Sequence, residues 1–126
     1  MTAGTALNRL REICLALPEA TEKPFGGHTD PTWRVRDKIF VMFNGVDHGD
    51  EISLWCKAPP GAQDILVGGD PERFFVPPYV GHNGWVGVRF DRRVDWDMVA
   101  ALVTDSYRMT ASKRLLKQLD ANAQAL

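Results

Sequence analysis

The sequence predicts a single α+β domain, an antiparallel sheet with N- and C-terminal helices packed on one of its faces. Three observations predict it. Helical periodicity occupies both ends of the chain while alternating strand periodicity fills the middle, so the two kinds of element are segregated rather than interleaved. Short, turn-rich connections separate the strands, which favours hairpin pairing over parallel crossovers. A length of 126 residues, 44% hydrophobic and 25% charged, is that of one globular domain covering residues 1–126.

Leu7, Leu10, Ile13, Cys14 and Leu17 recur at helical spacing around Arg9, Arg11 and Glu12, giving an amphipathic first helix with Thr5 as N-cap and Pro18 as its stop. Pro24, Gly26, Gly27 and Asp30 then mark a loop that holds a short edge strand at residues 21–25. Trp33 and Val35 alternate with Arg34 and Arg36, the pattern of a half-buried strand, and Asp37 marks a turn. Residues 38–43 (KIFVMF) are apolar on both faces and read as a central strand. Asn44-Gly45 opens an acidic loop, after which Ile52, Leu54 and Cys56 alternate with Ser53, Trp55 and Lys57 as another strand.

Pro59-Pro60 begin a short helix closed by Gly68-Gly69, and Asp70-Pro71-Glu72-Arg73 form a turn. Residues 74–90 (FFVPPYVGHNGWVGVRF) concentrate aromatics, prolines and glycines, and read as a shaped loop feeding a strand of Val86, Val88 and Phe90. Asp95 caps a helix with Val94 and Val99 as its hydrophobic staple and Leu102, Val103, Ser106 and Tyr107 on the same stripe. A last helix follows Thr110 or Ser112, with Leu115, Leu116 and Leu119 inward and Lys113, Arg114 and Lys117 outward. The strand phases put Val35, Ile52, Leu54, Val86, Val88 and Phe90 against the helices, and Arg34, Arg36, Trp55, Lys57, Trp85 and Arg89 on the opposite face.

Net charge is −1 and the pI near 6.3, so attraction to a polyanion requires a local patch. Two features supply cations: the aromatic-basic sheet face, and the run of Arg108, Lys113, Arg114 and Lys117 with no acid among residues 106–119. Trp55 and Trp85 interleaved with Arg34, Arg36, Lys57 and Arg89 are of the type that stacks bases and tracks phosphates. The plainer alternative is that the proline-rich loop closes over these rings as a second small core with cations at its rim. For the last helix, the plainer alternative is a solvated face with its cations toward the C-terminal half.

A second function class is a small-molecule site, or an uncharacterised enzyme, with a pocket walled by Trp33, Tyr79, His82 and Trp85 and held open by Pro77 and Pro78. No nucleophile, acid and base stand at a spacing that assigns catalysis, and no glycine-rich phosphate fingerprint is present. His28 with Asp30, and His48 with Asp47 and Asp50, lack diagnostic metal-ligand spacing. Cys14 and Cys56 read as reduced packing residues, Tyr107 as a buried ring with its hydroxyl bonded to a loop. No signal or membrane-spanning run is apparent, so the expected compartment is the cytoplasm without membrane attachment.

The order of motifs resembles the MmcQ/YjbR family of small bacterial proteins over nearly the whole chain. The resemblance is carried by Leu17-Pro18 with Glu22, Trp33-Arg34-Val35 leading into Lys38-Ile39-Phe40, Ser53-Leu54, Tyr79 with Gly81 and Gly84-Trp85-Val86, and Ser106-Tyr107. It implies a frataxin-like (CyaY-like) fold, also compared with a double-wing DNA-binding domain, and it implies DNA binding without established catalytic residues. Many members carry lysine where Trp55 stands here, and basic residues where this chain has Gly81-His82-Asn83-Gly84. The expectation is therefore a binding module without cofactor whose partner is DNA, held weakly, with a small molecule as the alternative.

Overall fold

The structure is a computed structural model that describes residues 2–24, 26, 30–45, 52–90 and 93–124. Helix α1 (Ala3–Leu15) leads into strands β1 (Thr21–Pro24), β2 (Pro31–Val35), β3 (Lys38–Asn44) and β4 (Ser53–Cys56). Helix α2 (Ala62–Gly69), strands β5 (Phe74–Phe75) and β6 (Val86–Arg89), and helices α3 (Trp96–Thr110) and α4 (Lys113–Gln124) complete the order. The six strands form one sheet in the order β1-β2-β3-β4-β6-β5, with every neighbouring pair antiparallel.

The predicted α+β architecture is the one observed, and the apolar patterning explains it. Trp33, Val41, Cys56 and Val86 lie in one cross-strand row, and Phe43, Leu54, Val88 and Phe74 in the next on the same face. Both rows join a buried cluster with Leu10 and Cys14 of α1, Val99, Val103 and Tyr107 of α3, and Leu115 of α4. A register shift between Trp33 and Arg34 loosens the strict alternation along β3, and both Phe40 and Val41 are fully buried. The Phe40 ring meets the edge of Tyr107 at 5.7 Å.

Polar contacts fasten the helices to this sheet at named points. Glu22 on β1 accepts from Trp33 Nε1 at 3.0 Å and from Arg11 Nε and Nη2 at 2.8 and 3.0 Å, which joins α1, β1 and β2 through one carboxylate. Tyr107 Oη donates to the Pro18 carbonyl at 2.7 Å, as its inward position predicts. Ser106 Oγ donates to the Lys57 carbonyl and ties α3 to the end of β4.

Several boundaries differ from the sequence reading. Thr2, not Thr5, caps α1: its hydroxyl accepts the Thr5 N–H at 3.1 Å, so Thr5 lies inside the first turn. Asn44 belongs to β3, where it pairs with Ser53, while the Gly45 N–H donates to Asp30. Pro59-Pro60 precede α2 rather than forming its first turn, with Gly61 at φ +85° as N-cap. Arg36 leaves the strand: it and Asp37 stand at φ +55° and +62° between the paired Val35 and Lys38. Two such residues make the tight mirror-type hairpin turn that suits the strand twist and usually carries Asn-Gly. The two-residue strand β5 gives no alternation to read.

Candidate nucleic-acid interface

The face of the sheet away from the main core is built differently from the sequence expectation. Trp55 lies there by strand alternation, in a row with Met42, Gly87 and Phe75. Trp55 is 6% exposed and Trp85 7%, and neither belongs to the main core cluster. Their rings are therefore not presented for stacking on a base. Burial rather than display is what large aromatic rings ordinarily do, and it accords with the plainer of the two alternatives raised by the sequence.

The loop of residues 76–84 is pinned beside them. Gln63 Nε2 on α2 donates to the Gly81 carbonyl at 2.8 Å and to the Trp85 carbonyl at 2.6 Å, and Pro77 and Gly81 are buried. A Cβ at Gly87 would run into the Phe75 ring, so only glycine allows that ring to lie on the strand. Arg89 sits 4.8 Å from the centre of the same ring and donates to the carbonyls of Pro71, Glu72 and Phe74. Its guanidinium supports a turn, a use the sequence reading as a phosphate contact did not foresee.

The remaining candidate cations separate by their partners. Arg108 is bonded to Asp120 at 2.7 Å, and Arg114 to Glu19 at 2.9 Å. Arg34 is half-buried, its Nε 3.4 Å from Thr32 Oγ1. Arg36, Lys38, Lys113 and Lys117 are exposed and Lys57 is half-buried, and among the described residues none of the five forms an ion pair. Burial, and secondarily the charge of Lys38, holds the Lys57 ammonium below the ordinary lysine range, which places two like charges side by side.

Strand register gathers these cations at one end of the sheet. The β2–β3 hairpin turn carries Arg36 there, with Arg34 and Lys38 on its two strands. The Lys57 N–H donates to the Phe40 carbonyl, and the Lys57 carbonyl accepts from Ser106, so the end of β4 and the C-terminal half of α3 meet at the same place. Arg114 reaches Glu19, two residues before Thr21, and Thr21 pairs with Arg34. The start of α4 therefore belongs to this end as well, and the molecule has a basic pole.

Lys113 and Arg114 occupy the first turn of α4, and no basic residue stands in its last turn. That reverses the sequence alternative of cations toward the helix C-terminus. A cation at a helix N-terminus opposes the helix dipole by about 0.3–1 kcal/mol. Arg114 has Glu19 to offset this, whereas Lys113 has no carboxylate partner among the described residues.

The four predicted pocket residues differ in their surroundings. Trp33 is fully buried on the helix side with its indole bound to Glu22, Trp85 is buried, and Tyr79 and His82 are exposed. None of the four lines either of two cavities found at the opposite end of the sheet. The larger, an open cleft of about 560 Å³, is lined by Arg9, Arg73 and Arg93 with Asp95, Trp96 and Asp97, and its smaller neighbour, of about 140 Å³, shares Arg73, Arg93 and Asp95. Arg9 lies 5.3 Å from the Trp96 ring centre and Arg73 turns to Asp70 at 3.6 Å, so the cleft's charge is nearly balanced. Its arginines come from three distant parts of the chain and leave no local sequence signal.

Burial raises the Cys14 thiol well above its usual range and pushes Cys56 up to about 12, so neither is a thiolate near neutral pH. No group of three or more metal-binding side chains occurs among the described residues. His28, Asp47, His48 and Asp50 lie outside them, and Asp30 accepts the Gly45 N–H. No helix among the described residues is long and apolar enough to cross a membrane.

The chain is similar to a family of known proteins. It matches the family model YjbR over residues 15–109. Among solved structures it is similar to the crystal structure of Deinococcus radiodurans protein DR2400, family-model domain DUF419, with a TM-score of 0.74 and 19% identity over 90% of this chain and 87% of that one. Identity at that level speaks for a shared fold. A search of the curated proteins gave no match. The family match spans most of the chain, from the end of α1 to the end of α3, and the chain belongs to the YjbR family.

Proposed function

We propose that this chain is a non-enzymatic binding module for nucleic acid, held by its phosphates at the basic pole rather than by an aromatic sheet face. The observation that carries this is the convergence of Arg34, Arg36, Lys38 and Lys57 with the start of α4, including cations set against that helix's own dipole. Arg36, Lys38, Lys57 and Lys113 form no ion pair among the described residues, the carboxylate in their turn, Asp37, being bonded to Lys23, and a phosphate backbone is a ligand that offsets their mutual repulsion. The net charge of −1 leaves no further attraction from the rest of the molecule, so binding is weak and local.

About four phosphate contacts give affinity that falls roughly 150-fold for duplex DNA, or roughly 50-fold for a single strand, between 50 and 200 mM salt. Fluorescence anisotropy with end-labelled DNA of both kinds measures this directly. Absence of binding by either DNA at 50 mM salt removes the proposal.

A further inference from the structure

We propose, resting on the reading just given, that Tyr79 is a stacking platform for an unpaired base and that the nucleic acid held at this pole is single-stranded. Tyr79 is 81% exposed and is the only aromatic residue among the described ones that is exposed. It stands at φ +66°, a conformation that glycine and asparagine tolerate and a bulky residue adopts at a cost. The Val80 N–H donates to the Pro78 carbonyl at 2.7 Å across it, closing a three-residue γ-turn of the strained, positive-φ kind. The chain thus holds the one exposed ring among the described residues at the tip of a strained turn. Neither exposure of the ring nor that backbone conformation contributes to the fold.

The turn is rigidly based. Pro77 and Pro78 fix the approach, Pro77 and Gly81 are buried, and Gln63 clamps the carbonyls of Gly81 and Trp85. A ring on such a base loses little freedom when it stacks. The turn also lies at the cationic end: the loop feeds β6, whose Val86 pairs with Cys56, the residue before Lys57. Phosphates on the lysines and a base on Tyr79 can then belong to one strand. A protruding ring needs a free base face, which an unpaired strand offers at every nucleotide and a duplex only after unstacking.

The test compares wild type, Tyr79→Phe and Tyr79→Gly by anisotropy at 50 mM salt, with labelled oligo(dT), oligo(U) and a mixed-sequence duplex. Tyr79→Phe should bind oligo(dT) as wild type does, and Tyr79→Gly about tenfold more weakly. The glycine variant should leave duplex affinity unchanged and should melt no lower than wild type, since glycine is at ease at this φ. Equal affinity of wild type for the two oligonucleotides supports recognition of single strands as a class, and preference for either supports it with the sugar or the base methyl group selected. Oligo(dT) binding unaltered in Tyr79→Gly, or duplex binding reduced by the same factor, overturns the role of Tyr79 while salt-sensitive binding keeps the basic pole. No binding by wild type to any of the three overturns both.

Discussion

At the residue scale, three residues that carried the family resemblance, Glu22, Ser106 and Tyr107, turn out to be fasteners. Glu22 joins Trp33 and Arg11, Ser106 reaches the Lys57 carbonyl, and Tyr107 reaches the Pro18 carbonyl. Tyr107→Phe should destabilise the chain by about 1–2 kcal/mol at neutral pH, because it leaves a buried carbonyl without its donor. Burial raises the Tyr107 hydroxyl above its usual 10.0, so the unfolded chain ionises first as pH rises. Stability from this group is present below pH 10 and is lost above it, so the difference between wild type and Tyr107→Phe should shrink there. Urea unfolding at pH 7 and above pH 10 checks both statements. Tyr107 was legible in the sequence because an amphipathic stripe points its ring inward. Trp85 was not, since a ring before a strand can be buried on the second face or displayed from it with the same local pattern.

At the element scale, the hairpin between β2 and β3 and the first turn of α4 both carry basic residues where backbone physics prefers others. Arg36 and Asp37 hold positive φ in a turn that favours Asn-Gly. Arg36→Asn keeps the bond from Lys23 to Asp37 and should stabilise the fold by about 0.5 kcal/mol, read as a shift of the urea midpoint. The same change removes one cation of the pole and should lower the salt slope of DNA binding by about one contact. A gain in stability coupled to a loss of binding is the signature of residues kept for a ligand. Element type was readable from periodicity for α1, α3 and α4 and for Pro31–Val35, Ser53–Cys56 and Val86–Arg89, from an unbroken apolar run for Lys38–Asn44, and from proline and glycine punctuation for α2 and the edge strand Thr21–Pro24. Phe74–Phe75 was not, because two residues have no period, and its partner is chosen by Gly87, which admits the Phe75 ring.

At the scale of the whole molecule, the fold was more legible than the site. Burial follows from alternation and helical spacing, which are local, whereas the basic pole is made by register: Val35 opposite Lys38, Cys56 opposite Val86, Arg114 against Glu19. Sequence spacing puts Arg89 beside Lys57 on one sheet face, yet the antiparallel pairing of Ser53 with Arg89 sends Arg89 to the opposite end. Tyr79 passes from a pocket wall to an exposed tip for the same reason, since only the folded chain shows what the loop is packed against. The central claim is that phosphates are held by the cations at this pole. The most direct measurement is the salt dependence of oligo(dT) binding by wild type and by the triple variant Lys38→Gln, Lys57→Gln and Lys113→Gln, which leaves Arg36 as the remaining exposed, unpaired cation of the pole among the described residues, followed by anisotropy from 50 to 200 mM salt. Wild type should give a slope of log affinity on log salt near about −3, and the variant a slope near about −1. Equal slopes in the two proteins, or no binding by wild type at 50 mM, would contradict the account.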